Sequence, residues 1–228
     1  MPFTLATVTR PLRESAPQAL PVGPLPRART VLAVTARPGQ ESTDLGLLLY
    51  AFRRHGACLA LLSLTRGEAS PLNSTCQRLE TIRPWELLTA AGLLGVSSVA
   101  VADYPDGGLS HHPITNLTEQ VRREIREQDP DVLLVVDPAE GDADNAAVAR
   151  AVCHAAGQAG LPVLARMQPT AHGGRLVDLG PAIAAAHAVQ RSAIAAHASQ
   201  SRARPRGEPA RRSEPSRERL RWLVPPTA

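Results

Sequence analysis

Lysine is absent from the 228-residue chain, and all 25 of its basic side chains are arginines, permanent cations with no lone pair to donate. So complete a replacement reads as compositional bias and carries no function by itself. Cysteine is scarce as well: Cys58, Cys76 and Cys153 show no CxxC spacing, which argues against both a disulfide framework and a zinc knuckle. No apolar run approaches the roughly 18 residues of a membrane span. The N-terminus lacks a charged segment followed by an apolar one, so no secretory signal is read there. A soluble, cytoplasmic protein is the resulting expectation. Aromatic residues make up only 3% of the chain. The formal net charge is +4, yet residues 202–221 hold eight arginines against three glutamates, an excess larger than that of the whole chain. The remainder is therefore near neutral, and charge alone does not imply a nucleic-acid partner. The tail has no aromatics among its arginines, so a solvated linker is preferred there over a phosphate-binding arm.

What is present is an alternation of short apolar runs and helical patterns. Val31–Ala36 is a short apolar, β-branched run that reads as a buried strand, followed by the polar turn Arg37-Pro38-Gly39-Gln40. Glu41–His55 then places Leu45, Leu48, Leu49 and Phe52 on one helical face, and Gly56 suits the residue that ends a helix. Further strands are expected at Ala57–Leu64, Ser97–Ala102, Asp131–Val136 and Leu161–Met167, with a short one at Leu220–Val224. Further helices are expected at Trp85–Leu94 (Pro84 in its first turn), Ile114–Gln128, Ala146–Ala156 and Ala182–His197. Polar loops fill Thr65–Arg83, Asp103–His112 and Asp137–Asn145. This order predicts an α/β, Rossmann-like fold: a mostly parallel sheet with helices on both faces. Its expected organisation is a Pro-rich, partly disordered leader (1–29), one α/β domain (30–200) and an Arg/Pro-rich tail (201–228). Ligands of such folds sit at the carboxyl ends of the strands, which puts the turn at 37–41 at the centre of any site.

Seven stretches, in order, resemble the LmbE-like (PIG-L) N-deacetylases. They are VLAVTARPGQE (31–41), LTRGE (64–68), RPWELLTAAGLLGV (83–96), DYPDGGL (103–109), PDVLLVVDP (130–138), DADNAAVARAV (142–152), and finally VDL (177–179) with RSAIAAHASQ (191–200). The resemblance implies the fold of zinc hydrolases that remove acyl groups from amino sugars and related thiol conjugates. In that family a first motif, AHPDDE, supplies a zinc His, a general-base Asp and a zinc Asp; a second, HPDH, supplies the last zinc His. Laid on this chain, the zinc His is replaced by Arg37, the base by Gly39, the zinc Asp by Gln40 and the last zinc His by Asn145, while Glu41 and Asp144 are kept.

A catalytic zinc site needs about three strong N, S or O ligands and an open position. Gln40 and Asn145 offer only neutral carbonyl oxygens, Gly39 cannot accept a proton, and Arg37 would repel the ion. No metal, no cofactor and no catalytic residue are therefore expected, and the resemblance implies an inactive homologue. Arg37 is expected to pair with the neighbouring acids where the ion would lie. Two other readings stay open. Glu41, Asp142 and Asp144 are the fallback set for a true amide hydrolase with a non-standard site, oxygen ligands that would suit Mg²⁺ or Ca²⁺. Nucleic-acid contact through the tail is the other. By resemblance, Arg66, Glu68, Asp106 and His197 line a pocket for a small polar or sugar-like ligand; a regulatory role with a protein partner is the alternative use of the fold. His111 and His112 read as solvated loop residues.

Overall fold

The computed structural model describes residues 22–69, 78–201 and 217–226. Residues 1–21 of the leader, Cys76 and the arginine-dense stretch 202–216 lie outside the described residues. Eight strands form one sheet: β1 (Val22–Pro24), β2 (Thr30–Thr35), β3 (Cys58–Thr65), β4 (Ser98–Tyr104), β5 (Val132–Val136), β6 (Val163–Met167), β7 (Arg175–Asp178) and β8 (Arg217–Val224). Their spatial order is β1-β7-β8-β6-β5-β2-β3-β4. Strands β6, β5, β2, β3 and β4 are all parallel, and the chain reverses its direction of travel across the sheet at the β2/β5 pair. This is the α/β architecture expected, and β2 and β5 flank its topological switch point.

Burial on both faces explains the composition of the central strands. Every residue of β2 and β5 is buried, as an interior parallel strand requires. Val31, Ala33, Leu59, Leu61 and Leu134 face one core, which is closed by α2 (Gly46–Arg54), α3 (Leu79–Leu94) and α6 (Ile183–Ala196). Leu32, Val34, Leu62, Leu133 and Val135 face the other, closed by α4 (Ile114–Gln128) and α5 (Ala143–Ala159).

Several boundaries differ from the sequence expectation, each for a local reason. The helix expected over 41–55 is two: α1 (Gln40–Thr43) ends at Asp44 and α2 restarts at Gly46. The break is held by Gln190 of α6, whose Nε2 donates to the carbonyls of Ser42 (3.0 Å) and Thr43 (3.4 Å), groups freed by the interruption. Gly46 lets α6 approach closely there: a Cβ would stand 3.0 Å from Gln190 Cγ and push that side chain back by a few tenths of an ångström. Helix α5 begins at Ala143 rather than Ala146, because Asp142 caps it: Oδ1 accepts from the backbone N–H of Asp144 (2.9 Å) and Asn145 (3.0 Å). Asp144 and Asn145 thus lie in a first helical turn, not in a loop. Helix α3 starts at Leu79 and carries Pro84 inside it, since Leu79, Arg83 and Leu87 already form a buried i, i+4, i+8 row.

The short strand expected at Leu220–Val224 is longer and interior. As β8 it runs antiparallel between β6 and β7. Strands β1 and β7 were not foreseen, being three and four residues long. Among the described residues, no helix is long and apolar enough to cross a membrane.

The charged helix α4 carries one acid on its buried side. Glu124 is 5% exposed, and burial pushes its carboxyl above the usual range, with Glu127 adding to the shift and Arg123 opposing it. The folded chain therefore holds this proton more tightly than the unfolded chain does. The associated stability is present in acid and is lost as pH rises from about 4.5 through the raised value. Glu124→Gln is expected to gain stability relative to the parent at neutral pH and little in acid. Urea unfolding at both pH values tests this, and a pH-independent difference would refute it.

Candidate functional site

Strand β2 delivers Ala36, Arg37 and Pro38 to the carboxyl end of the sheet, and β5 delivers the segment that leads to Asp142. The two meet through side chains. Arg37 Nη2 donates to Asp142 Oδ2, and Arg37 Nε lies 3.7 Å from Asp106 Oδ1. Asp142 is doubly committed, because its Oδ1 caps α5. Asp106 sits in the loop after β4 with its side chain 5% exposed. Burial pushes the Asp106 carboxyl up, while Arg37 and the backbone N–H of Ala69 (3.1 Å) pull it down. The guanidinium expected to stand among acids does so.

Beside it lies an amide pair. Gln40 Oε1 accepts from the backbone N–H of Ala36 (2.9 Å) and of Arg37 (3.3 Å), and its Nε2 donates to Asn145 Oδ1 at 2.8 Å. Gln40 thus spends its oxygen on the turn it belongs to and turns a donor towards Asn145.

Gly39 closes the turn with φ +104°, a left-handed conformation that L side chains rarely adopt. Its carbonyl accepts from the N–H of Ser42 (3.1 Å) and Thr43 (2.9 Å). A Cβ on Gly39 would stand 2.6 Å from Gln200 Oε1 and 3.0 Å from its Nε2. Gln200 is fixed there by a 3.0 Å bond from Nε2 to the Pro38 carbonyl. Sequence alone places Gln200 near the site by resemblance; that it fills the side-chain space at Gly39 was not legible.

The retained acids are structural partners. Glu41 is fully buried; Oε2 accepts from Gly39 N–H (2.7 Å), and Oε1 accepts from Ser42 Oγ and meets His197 Nε2, both at 2.6 Å. This ties the turn to the end of α6. Asp144, 3% exposed, accepts from the N–H of Gly107 (2.8 Å) and Leu109 (3.0 Å), pinning the loop that carries Asp106. Glu68 Oε1 accepts from Asp106 N–H at 2.9 Å. The structure therefore gathers Arg37, Gln40, Glu68, Asp106, Asp142, Asp144 and Asn145 at the crevice, and puts Glu41 and His197 in a buried cluster joined to it through Gly39. Arg66 stands apart, paired with the exposed Asp103 at 2.8 Å. Arg83, which burial pulls below its usual range, donates through Nη1 to the Gly67 carbonyl.

These residues do not fit zinc. A guanidinium stands at one ligand position, the Gln40 oxygen is consumed by backbone donors, and Asn145 faces an amide donor rather than a cation. Among the described residues, no group of three or more His, Cys, Asp or Glu is placed to hold a metal ion. A shallow concavity of about 250 Å³ lies elsewhere, between α4 and α5, against Thr118, Arg122 and His154; its walls carry no residue of the crevice.

Two further charged groups were missed from sequence. Asp137, 1% exposed at the end of β5, is held by Arg221 of β8. Arg166 of β6 is surrounded by Glu218 (3.3 Å), Glu140 (3.6 Å) and Asp44 (3.7 Å). The only signals were the single arginine in the otherwise apolar β6 and the four charged residues of β8.

Comparison with known proteins places this geometry. Residues 32–156, more than half the chain, match the family model described as GlcNAc-PI de-N-acetylase (PIG-L). No curated protein is significantly similar to the chain. Three solved structures share the fold at low identity. The N,N'-diacetylchitobiose deacetylase of Pyrococcus horikoshii is 18% identical over 76% of this chain and 71% of its own, with a TM-score of 0.64. A deacetylase of the antimicrobial reagent A40926 pseudoaglycone is 19% identical over 77% and 84%, with a TM-score of 0.66. A 4-carboxy-2-hydroxymuconate hydratase of Pseudomonas putida is 16% identical over 88% and 98%, with a TM-score of 0.61. The fold alone thus names no reaction, but the sequence match does name a lineage, and the chain belongs to the PIG-L (LmbE-like) de-N-acetylase family.

Proposed function

We propose that this chain is a non-hydrolytic member of its family, which uses the crevice between β2 and β5 to bind rather than to cleave. The observation that carries this reading is the Arg37–Asp142 ion pair beside the Gln40–Asn145 amide pair. Hydrolysis of an amide needs an activated water and a base to take its proton. Here the cation is tethered by a covalent side chain and cannot polarise a bound water as a Lewis acid does. The base position is Gly39, and the neighbouring space belongs to Gln200. The fallback carboxylates do not rescue the chemistry: Glu41 is buried against His197 and Ser42, Asp144 accepts two backbone N–H groups, and Asp142 is shared between Arg37 and the cap of α5.

What the crevice does offer is the Arg37 guanidinium and the Asp142 carboxylate, each about one third exposed, which suit hydroxyl and amide groups of a small polar ligand. One structural neighbour is, by its name, a deacetylase of the sugar N,N'-diacetylchitobiose, and a sugar-like ligand is the class that fits. The test is one preparation read three ways. After incubation with excess zinc and gel filtration, elemental analysis is expected to find no stoichiometric zinc, and N,N'-diacetylchitobiose is expected to release no acetate. Calorimetry with the same sugar is expected to show binding without turnover. Stoichiometric zinc together with acetate release would overturn the proposal; absence of sugar binding would overturn its ligand half.

A further inference from the structure

Helices α3 and α6 differ from α4 in what they show to solvent. The outer side of α4 is charged, with Glu119, Arg122 and Arg126 linked by ion pairs. Between Thr81 and Leu94 the only charged residues of α3 are Arg83, which is buried, and Glu86, which accepts from Ser199 N–H and Oγ. Arg191 is the only Arg, Asp or Glu of α6, whose outer side otherwise presents alanines such as Ala184, Ala188 and Ala195. Four large apolar side chains stand exposed among the described residues, and three of them share α3: Trp85 (69%), Leu88 (44%) and Leu93 (48%). Single exposed apolar residues are ordinary, but a helix pair whose outer side carries Trp85, Leu88, Leu93 and alanines with only Thr81, Thr89, Ser192 and one charge among them is the mark of a covered face.

We propose that this face is covered by the same face of a second copy, in an isologous dimer centred on Leu88. The internal spacing of α3 carries the choice of occupant. Trp85 is a protruding knob, and Gly92, on the same side two turns later, is a hole: a Cβ there would meet nothing within 4 Å. A two-fold axis crossing α3 near Leu88 sets two such helices antiparallel, lays each Trp85 over the partner copy's glycine, and brings the two leucines together. The residues meeting at the axis are uncharged, so the chain's net positive charge does not oppose the contact there. The size is adequate. Sixteen residues of α3 and fourteen of α6 give helices about 24 and 21 Å long. Side by side at about 10 Å they project roughly 500 Å², and more as accessible surface, in the range of the ~800 Å² per partner of a standard interface. A nucleic acid or an acidic protein would find no row of cations on this face.

Sedimentation equilibrium of the full chain tests the proposal. The parent is expected to run at twice the chain mass. Leu88→Glu, which puts two like charges at the axis, is expected to weaken dimerisation by at least about 30-fold while leaving the circular dichroism spectrum unchanged. Gly92→Gln separates interface from fold: glutamine is the better helix former, so the monomer is expected to melt no lower, yet the filled hole is expected to weaken the dimer. A parent at one chain mass, or a dimer that survives both substitutions, would overturn the proposal. Neither readout depends on whether the crevice hydrolyses or binds.

Discussion

The triple variant Arg37→His, Gln40→Asp, Asn145→His is expected to bind one zinc ion with a dissociation constant of about 1 µM or tighter, a standard binding free energy of roughly −8 kcal/mol, where the parent is expected to bind none. The geometry supports a short route back. The Gln40 and Asn145 side chains already meet at 2.8 Å, and Arg37 is drawn to the same place by Asp142 and Asp106. Replacing a tethered cation by imidazole also frees Asp142 Oδ2, a neighbouring negative charge that favours a divalent ion. Hydrolysis is a different matter, because the base position is obstructed. Gly39→Asp must hold a left-handed φ and displace Gln200, whose amide would lie 2.6 Å from the new Cβ. As a single change it is expected to cost about 2–4 kcal/mol, and Gln200→Ala is expected to return only the steric part. Acetate release is therefore expected from the five-site variant and not from the triple variant. Zinc titration by calorimetry and urea unfolding check both halves. A folded triple variant with no zinc affinity would mean that these side chains do not converge as described.

Much of the fold was legible because the information is local. The apolar runs at Val31–Val34 and Val132–Val136 are buried on both faces, and their shortness and valine content favour an interior parallel strand over a buried helix. The sequence bears on the site only through side-chain chemistry: an arginine and a glycine offer zinc no donor, two amides offer only weak neutral oxygens, and the proposal of a non-hydrolytic chain builds on that. The pairing of Arg37 with acids followed from charge. Other features depend on partners far apart in sequence. Gln190 sets the break between α1 and α2 from 148 residues away, and no pattern within 40–46 announces it. Gln200 fills the space at Gly39 only because α7 (Ala198–Ser201) follows α6 back to the turn. The start of α5 does carry a local signal: Asp142 followed by Asp144 and an alanine-rich run is an N-cap signature, although the same residues also align with a metal motif. The charged tail misled in another way. The strand expected at Leu220–Val224 extends back to Arg217, so that Arg217–Arg219, whose composition matches the linker before them, belong to the sheet.

That last strand closes the site's support, and Arg221→Met is expected to show it. Asp137 is 1% exposed at the end of β5; Arg221 reaches it with two parallel N–H groups, Nη2 at 2.7 Å from Oδ1, and Ala139 N–H also donates to Oδ1 at 2.8 Å. Removing the guanidinium leaves a buried carboxylate with one backbone donor. Loss of one partner from a fully buried pair costs about 3–5 kcal/mol. Since the Arg221 side chain is 39% exposed, water can reach part of the gap, and about 2–3 kcal/mol is the expected loss. Asp137→Ala is expected to cost less, about 1–2 kcal/mol, because the orphaned group is then the half-exposed guanidinium, which can hydrate. The double variant is expected to be more stable than Arg221→Met alone. Urea unfolding of the three variants reads the order directly. Equal losses for the two single variants would mean that Asp137 is hydrated in the folded chain and that β8 does not fix the carboxyl end of β5. The predicted order would instead make β8 the brace of the strand end from which Asp142 reaches Arg37 and Asn145 reaches Gln40.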